Sequence, residues 1–374
     1  MLPYGRQSIA ESDVEAVAEV LRGDWLTTGP AVGRFEAELA RWTGGVPCVS
    51  VTSGTAALHV AYVAAGVRAG DEVVTSPLTF VATAATAALL GARVLFADVQ
   101  PDTGNLDPDA VTALAGPRTR AVTAVDYAGH PADYDELRTA ADSAGAVLVS
   151  DAAHSIGAAY KDRPVGALAD LTTFSFFPTK TVTTAEGGAV AAADPSLLLR
   201  AARFRNHGLV RDPAEQREPD VGGWHQEVHE FGLNYRLPDV LCALGLSQLR
   251  RLESFRERRS ELVARYNTLL RDVPGLTLPA QRAYVRPSWH LYPVRVGDGR
   301  RREVYERMRA AGIGVQVNYV PSYWHPVFED LGYRRGLCPQ AEAYYAEELS
   351  LPLFPDLTDA QQDRVVETLT GILT

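Results

Sequence analysis

The sequence contains almost no lysine. Of its 36 basic residues, only Lys161 and Lys180 are lysine, and all the others are arginine. An arginine side chain stays protonated in proteins, whereas a lysine amine can lose its proton and bond to a carbonyl carbon. Each lysine in this chain is therefore a candidate for chemistry that arginine cannot perform.

Cysteine is also scarce. Cys48, Cys242 and Cys338 are odd in number and far apart, which excludes a disulfide framework and fits free thiols in a reducing compartment. No secretory signal follows Met1, and the most apolar window, Phe80 to Val99, is interrupted too often by polar residues to span a bilayer. We therefore expect a cytoplasmic protein with no membrane partner.

The chain lacks an excess of positive charge. It has 46 acidic residues against 36 basic ones and a net charge of −10, so we expect no nucleic-acid partner, because phosphate neutralisation needs clustered basic residues. Its length of 374 residues, with 46% hydrophobic and 22% charged residues, is typical of a globular protein of roughly two domains.

Short apolar runs alternate with helical periods from about residue 46. Runs of this kind, separated by helices, predict a mostly parallel sheet that is covered on both faces. The candidate strands are Cys48–Thr52, Glu72–Thr75, Arg93–Asp98, Arg120–Val125, Ala146–Asp151, Thr172–Phe176 and Gly188–Ala191.

Two helices precede this α/β region, one announced by the capping-box spacing of Ser8 to Glu11 and one beginning at Pro30. One long helix is expected from after Leu237 to about Leu270. Strands at Trp289–Val296 and Gly314–Tyr319 and helices at Glu303–Ala311, Gln340–Leu349 and Thr358–Leu373 complete a smaller α+β domain. We predict a large domain over residues 1–240 and a small domain over residues 241–374, with an exposed loop at Arg211–Gly223.

Lys180 is the more informative of the two lysines. It follows a strand in a Thr-rich, nearly uncharged setting, whereas Lys161 lies in the polar turn Tyr160 to Pro164, where solvation explains it. The setting of Lys180 favours a Schiff-base role, although a lysine on the surface by chance is an equal alternative for this residue taken alone.

Asp151 strengthens this interpretation. It ends the apolar run that begins at Val147, and ligands of parallel α/β sheets bind at the carboxyl ends of the strands. A carboxylate and an amine at neighbouring strand ends suit pyridoxal phosphate, because the amine can hold the aldehyde and the carboxylate can keep the ring nitrogen protonated. Taken alone, Asp151 fits a helix cap equally well.

The segment Thr52 to Leu58 predicts a phosphate site. It follows the first strand and opens an apolar helix, so amide groups and hydroxyls gather at the positive end of a helix dipole. The segment has neither a P-loop nor a dinucleotide pattern, and a single phosphate monoester suits it best. Ser175 can add another hydroxyl.

His225 and His229 have a spacing that can hold a metal, with Glu227 and Glu230 beside them. No third ligand has a clear spacing, so we interpret them as an exposed loop edge and expect no metal site.

Taken together, seven segments of the chain occur in an order that resembles the DegT/DnrJ/EryC1/StrS family of sugar aminotransferases. They are Trp25–Pro30, Ser53–Leu58, Thr79–Thr83, Asp151–His154, Ser175–Lys180, Glu186–Gly188 and Gly232–Arg236. The sequence departs from the family at Phe177 and Asn318, where histidine is usual. The resemblance implies a pyridoxal phosphate-dependent transferase of fold type I, with a mostly parallel seven-stranded sheet and a smaller C-terminal α+β domain.

The resemblance also implies roles for particular residues. Lys180 would be the catalytic Schiff-base lysine, and a neighbouring subunit would contribute Asn234 to the phosphate site, which makes the active form a homodimer. The cofactor-binding residues would be Gly54, Thr55, Ala56, Phe80, Asp151, His154, Ser175 and Asn234. The substrate-binding residues would be Tyr4, Asp24, Trp25, Leu26, Thr27, Gln316, Val317, Asn318 and Tyr319.

Within the family, the likeness is greatest to members of the pseudaminic acid pathway. The segments that carry it are Pro3–Ser8, Val125–Gly129, Thr183–Gly188, Ala243–Leu249, His290–Pro293 and Val317–Pro321. It implies transfer of the amino group of L-glutamate to C4 of a UDP-linked 4-keto-6-deoxy-N-acetyl sugar. A 3- or 4-keto dTDP-sugar or a cyclitol ketone is an alternative acceptor. A dehydratase with the same cofactor is a further rival, but such relatives carry histidine in place of the lysine. A non-catalytic protein on the same fold also stays open.

Overall fold

The computed structural model describes all residues from Met1 to Thr374, and fifteen strands form one large and three small sheets. Each expected strand of the large sheet is present, with ends that agree or differ by at most two residues. The strands are β1 (Cys48–Val51), β2 (Glu72–Thr75), β3 (Arg93–Phe96), β4 (Thr119–Val125), β5 (Val147–Asp151), β6 (Ala159–Tyr160), β7 (Arg163–Pro164), β8 (Leu171–Ser175), β9 (Gly188–Ala191), β10 (Leu209–Val210), β11 (Glu227–Val228), β12 (Leu276–Thr277), β13 (Val285–Arg286), β14 (Tyr292–Val296) and β15 (Glu348–Leu351).

Thirteen α-helices connect and cover these strands. They are α1 (Glu11–Arg22), α2 (Pro30–Trp42), α3 (Gly54–Ala64), α4 (Ala82–Leu89), α5 (Pro108–Leu114), α6 (Tyr134–Ala144), α7 (Pro195–Phe204), α8 (Asp239–Leu249), α9 (Leu252–Leu270), α10 (Arg301–Ala310), α11 (Pro326–Asp330), α12 (Pro339–Glu347) and α13 (Asp359–Leu373). None of these helices combines the length and the apolar character needed to cross a membrane.

The large sheet has seven strands in the order β1-β9-β8-β5-β4-β2-β3. Only β9 runs antiparallel to its neighbours, which confirms the expected mostly parallel α/β fold. Successive side chains of a strand point to opposite faces, so Leu148 and Val149 of β5 belong to two different hydrophobic cores. The register aligns Val125, Asp151 and Thr173, which brings the carboxyl ends of β4, β5 and β8 to one edge.

A third core lies under the antiparallel sheet β12-β14-β15 near the C-terminus. Leu2 also packs into this core, and the backbone of Leu2 exchanges hydrogen bonds with Gly312 and Gly314. Cys242 of α8 instead belongs to a core of the large sheet, and Leu262 of α9 belongs to the third core. The division at residue 240 stays a prediction, and we propose that the boundary falls within α9.

Three local expectations were wrong. The expected long helix is two helices, because the chain turns at Arg250 and Arg251 between α8 and α9. The segment Gly314–Tyr319 is not a regular strand and pairs with β15 only through Gln316. The last residues of the expected helix Gln340–Leu349 form β15 instead, because pairing with β14 overrides local helix propensity.

The N-terminal helix also begins later than expected. Ser8 donates a hydrogen bond to Asp356 and does not cap α1. The amide of Ala10 donates to the carboxylate of Asp13 at 2.9 Å, so the acidic residue three positions on supplies the contact.

Asp239 at the start of α8 holds the start of α2. Its carboxylate accepts hydrogen bonds from the amides of Gly29 at 2.7 Å and Ala31 at 2.8 Å, and its side chain is buried. These amides belong to a helix end that has no intrahelical acceptor for them. Asp239, which is 208 residues from Ala31 in the sequence, therefore takes the place of a local capping side chain at the start of α2.

We predict that Asp239→Ala lowers the free energy of unfolding by about 2 to 4 kcal/mol, because two amides lose a buried acceptor. Urea unfolding followed by circular dichroism measures this loss. Asp194→Ala is the matched control, because Asp194 caps α7 from an exposed position, and it should cost less. Equal losses for the two variants would contradict the role of Asp239.

Candidate active site

A cavity of ≈ 460 Å³ opens at the carboxyl ends of β4, β5 and β8. Most of the predicted site residues meet there, although their sequence positions span the chain. The predicted residues that line it are Tyr4, Gly54, Thr55, Phe80, Asp151, His154, Ser175, Lys180, Gln316, Asn318 and Tyr319. Phe177 and Glu186 line it as well.

The other predicted residues do not line this cavity. Ala56 is buried, and its amide donates to Ser53 Oγ at 3.0 Å, so this amide is already occupied. Val317 packs against the third core, because side chains alternate along an extended segment and Gln316 and Asn318 face the cavity. The remaining five predicted residues are exposed to solvent: Asp24, Trp25, Leu26, Thr27 and Asn234.

Asp151 is fixed at the end of β5 by two hydrogen bonds. Its Oδ2 accepts from Thr83 Oγ1 at 2.7 Å, and its Oδ1 accepts from the amide of Ala153 at 3.2 Å. Burial raises the pKa of Asp151, while these hydrogen bonds and then the charge of Lys180 oppose the rise. The carboxylate is therefore held rigidly, and no arginine is paired with it.

Sequence reasoning missed the role of Thr83. Thr79 and Thr83 are four residues apart, and their hydroxyls are 2.7 Å from each other at the start of α4. Thr79 lies in the bend before α4 and Thr83 in its first turn. The spacing of four residues between two threonines is a signal that the sequence does contain. Thr83 therefore links the helix that follows Phe80 to the carboxylate of Asp151.

Lys180 is the only lysine or arginine that lines the cavity. It follows β8 in a turn in which its amide donates to the carbonyl of Phe177 at 2.9 Å. Burial lowers the pKa of Lys180 to about 8, against the opposing charge of Asp151. An amine of this pKa is partly unprotonated near neutral pH and can act as a nucleophile or as a general base.

His154 lies between Tyr319 and a second histidine. Its Nε2 is 3.2 Å from the hydroxyl of Tyr319, and its ring lies 4.4 Å from the ring of His290, between centroids. Burial and then the charge of Lys180 keep the pKa of His154 well below its usual range, so the ring is neutral. Nδ1 of His154 has no hydrogen-bond partner in the chain although it is buried.

The amino end of α3 forms an anion cradle. Ser53 caps this helix, while the amides of Gly54 and Thr55 donate to no other group in the chain. A Cβ atom added at Gly54 would lie 2.7 Å from Cβ and 2.8 Å from Oγ of Ser175. Because this separation is too short for two side chains, glycine keeps the cradle open.

These groups fit pyridoxal phosphate. Asp151 is a buried carboxylate on which Lys180 is the only cation that acts, and it can pair with a protonated ring nitrogen. The unoccupied amides at the start of α3 suit a phosphate dianion. The exposed ring of Phe80 and the buried, unpartnered Nδ1 of His154 offer an apolar face and a polar contact.

His225 and His229 lie on either side of β11, outside the cavity, with His225 partly exposed and His229 exposed. Both imidazoles contact Glu227, and Nε2 of His225 is 3.3 Å from its carboxylate. The backbone amides of Arg217 and Glu218 donate to the same carboxylate, at 2.9 and 2.8 Å. Glu227 thus organises the exposed loop Arg211–Gly223 through local contacts.

The chain is similar to known proteins over nearly its whole length. The sequence profile of the DegT/DnrJ/EryC1/StrS aminotransferase family matches residues 7–370. The chain is 37% identical to the spore coat polysaccharide biosynthesis protein SpsC of Bacillus subtilis, over 100% of this chain and 97% of that protein. It is 36% identical to a UDP-4-amino-4,6-dideoxy-N-acetyl-beta-L-altrosamine transaminase of Campylobacter jejuni, over 100% and 98% of the two chains.

Among solved structures, PseC of Helicobacter pylori, an aminotransferase of pseudaminic acid biosynthesis, superposes with a TM-score of 0.93. The two chains are 30% identical, and the match covers 100% of this chain and 99% of PseC. The fold and the site thus define a pyridoxal phosphate-dependent sugar aminotransferase, which confirms the expected enzyme class and cofactor. The chain belongs to the DegT/DnrJ/EryC1/StrS aminotransferase family.

We predict that Gly54→Ala weakens pyridoxal phosphate binding about tenfold, because the added methyl group displaces Ser175 from the cradle. Titration of the cofactor-free protein, followed by absorbance, measures this change. Gly371→Ala is the matched control, since this glycine lies in α13 with open space around it and should bind the cofactor normally. Equal affinity in Gly54→Ala and wild type would contradict the cradle.

Proposed function

We propose that this enzyme transfers the amino group of L-glutamate to C4 of a UDP-linked 4-keto-6-deoxy-N-acetylhexosamine, as a step of deoxyamino sugar biosynthesis. The observation that carries the proposal is the placement of Lys180, with its lowered pKa, in one cavity with Asp151 and the anion cradle at the start of α3. The names of the Campylobacter and Helicobacter relatives support the choice of acceptor. The free, buried cysteines support a cytoplasmic location.

Seven residues that line the cavity, together with Ala56 beside it, have proposed parts in holding the cofactor. Gly54, Thr55, Ala56 and Ser175 would surround its phosphate, and Phe80 would lie against its ring. Asp151 would accept a hydrogen bond from the protonated ring nitrogen, and His154 would lie near the ring hydroxyl. When bound, pyridoxal phosphate supplies an aldehyde for amine exchange and a ring that withdraws electrons from the reacting carbon.

Lys180 would hold the cofactor at rest and move the proton during amino transfer. Its Nζ must be unprotonated to accept a proton from the α-carbon of the donor, and must then return that proton at the cofactor side. A pKa of about 8 suits both directions near neutral pH, because neither protonation state is strongly favoured. Asp151 stays in place through Thr83 and Ala153 while this proton moves.

The acceptor sugar would bind at the outer part of the cavity. Tyr4, Gln316, Asn318 and Tyr319 line the cavity. We propose that these four residues contact the sugar and that Asp24 to Thr27 and Val317 border it. Phe177 adds an exposed aromatic ring where the family usually has histidine. This replacement removes a titratable contact, so the sugar is positioned there by apolar contact instead.

The acceptor can be tested with a panel of keto sugar nucleotides. We expect turnover, measured as 2-oxoglutarate formed from L-glutamate, to be highest with the UDP-linked 4-keto-6-deoxy-N-acetyl sugar. The panel also contains 3- and 4-keto dTDP-sugars and a cyclitol ketone. Preference for one of these by kcat/KM would replace the proposed acceptor, and glutamate-independent loss of water from the sugar would indicate a dehydratase.

We predict that Lys180→Arg removes both the visible absorbance of the bound cofactor and all amino transfer. Arginine keeps the charge but has no amine that can lose its proton near neutral pH. Lys161→Arg is the matched control, since Lys161 pairs with Asp135 at 2.8 Å on the surface and arginine preserves such a pair. Retained turnover in Lys180→Arg would overturn the assignment.

We also propose that the enzyme is a homodimer in which Asn234 reaches the phosphate site of the neighbouring subunit. Asn234 is exposed and lies outside the cavity of its own chain. The same segment exposes Phe231, with 95% of its surface free, and Trp224, with 80%. Large apolar side chains exposed together are typical of a surface that another chain covers.

We predict that Lys180→Arg and Asn234→Asp, each inactive or weak alone, regain activity when the two variants are mixed and allowed to exchange subunits. Aspartate at position 234 keeps the shape of asparagine but repels a phosphate. If Asn234 acts across the interface, a mixed dimer contains one intact site and one site with both changes. If it acts within its own chain, both sites of the mixed dimer are defective and mixing restores nothing.

A further inference from the structure

Glu348 is a fully buried carboxylate that the site described above does not use. It is the first residue of β15, its surface exposure is 0%, and it does not line the cavity. No lysine or arginine forms a salt bridge with it. Arg301, whose positive charge acts on Glu348, donates a hydrogen bond instead to the carbonyl of Tyr345 at 2.7 Å.

One oxygen of Glu348 contacts the cavity wall directly, and the other contacts a residue behind that wall. Oε2 accepts a hydrogen bond from the amide of Asn318 at 2.6 Å, and Oε1 accepts one from Ser350 Oγ at 2.6 Å. The side-chain amide of Asn318 donates to the same Ser350 Oγ at 3.0 Å. Glu348 therefore holds Asn318 through its backbone and, by way of Ser350, through its side chain.

The residues on either side of Asn318 are held by the same region. Gln316 exchanges two backbone hydrogen bonds with Ser350, at 2.8 and 3.2 Å, and the hydroxyl of Tyr127 donates to the carbonyl of Asn318. Tyr319, the next residue, brings its hydroxyl to His154 and its ring to Phe80, 6.3 Å away between centroids. The position of Asn318 thus sets where Tyr319 stands in the cavity.

Burial raises the pKa of Glu348 to about 8, and the hydrogen bonds from Ser350 and Asn318 oppose this rise only in part. Keeping this polar group buried costs free energy, and its hydrogen bonds recover only part of that cost. An apolar side chain of similar volume at position 348 would avoid the cost. Glu348 forms its hydrogen bonds with Asn318, which lines the cavity, and with Ser350, which contacts the side chain of Asn318. The carboxyl group therefore fixes the position of Asn318.

We propose that Glu348 is a positioning residue that holds Gln316, Asn318 and Tyr319 in place for the acceptor substrate. The proposal rests on the proposed function, because it assigns these three residues to the keto sugar. Glu348 touches neither the cofactor site at the start of α3 nor Lys180. Its loss should therefore affect the half-reaction with the sugar and spare the half-reaction with L-glutamate.

The test uses the holoenzyme of Glu348→Met, Glu348→Gln and Ser350→Ala. Methionine cannot accept strong hydrogen bonds from the amide of Asn318 or from Ser350 Oγ, so we expect the KM for the keto sugar to rise about 10- to 100-fold. The rate with L-glutamate and the cofactor absorbance should stay within about twofold of wild type. Glutamine can accept from Asn318 and donate to Ser350, so Glu348→Gln should restore the KM to within about threefold.

Ser350→Ala is the milder variant and serves if Glu348→Met does not fold. It removes the contact between Glu348 and the side chain of Asn318 but keeps the contact with its amide, so a KM rise of about 3- to 10-fold is expected. Glu347→Met is the matched control, because the neighbouring side chain makes no such contact and should leave both half-reactions unchanged. An unchanged sugar KM in folded variants, or equal losses in both half-reactions, would overturn the proposal.

A crystal structure of Glu348→Met, or of Ser350→Ala, separates this proposal from the proposed function. We expect the hydroxyl of Tyr319 to move out of hydrogen-bond distance of His154, whatever the acceptor proves to be. A cavity wall that keeps its wild-type position would overturn the role of Glu348. Absence of wild-type turnover with every keto sugar would instead overturn the proposed acceptor.

Discussion

The site depends on one constraint, which is that the carboxylate of Asp151 is buried at a strand end with no arginine to neutralise it. The parallel register of β4, β5 and β8 creates the edge at which this residue stands. Thr83 and Ala153 fix its two oxygens, and Lys180 supplies the positive charge that faces it. A protonated pyridinium nitrogen would complete the neutralisation, so the protein supplies the counter-charge before the cofactor arrives.

The same electrostatic arrangement makes Lys180 effective. An amine in water keeps its proton until the solution is strongly basic, and burial in this cavity removes much of that preference. Asp151 opposes this change, so the pKa reflects a balance between desolvation and one negative charge. The scarcity of lysine elsewhere therefore coincides with the one position where an arginine could not perform the reaction.

Much of the fold and part of the site could be predicted from sequence, because the signals are local. Apolar runs that end in polar residues identified the seven strands and the positions of Asp151 and Lys180. The start of β15 could not be found in this way, because Glu348 continues a helical pattern and becomes a strand only through pairing with β14. Thr83 and Glu348 form hydrogen bonds with Asp151 and Asn318, which lie 68 and 30 positions away along the chain. Sequence patterns within one helix or strand do not reveal such contacts.

Asp151 and Glu348 show two uses of a buried carboxylate in one enzyme. Asp151 accepts hydrogen bonds from Thr83 and Ala153 and directs its remaining charge into the cavity, where a cation can meet it. Glu348 directs its oxygens at Asn318 and Ser350, away from any cation. The arrangement around Asp151 adjusts the reactivity of the site, and the arrangement around Glu348 fixes the shape of the cavity. The two carboxyl groups share no hydrogen-bond partner, so a substitution at Glu348 leaves the hydrogen bonds that fix Asp151 in place.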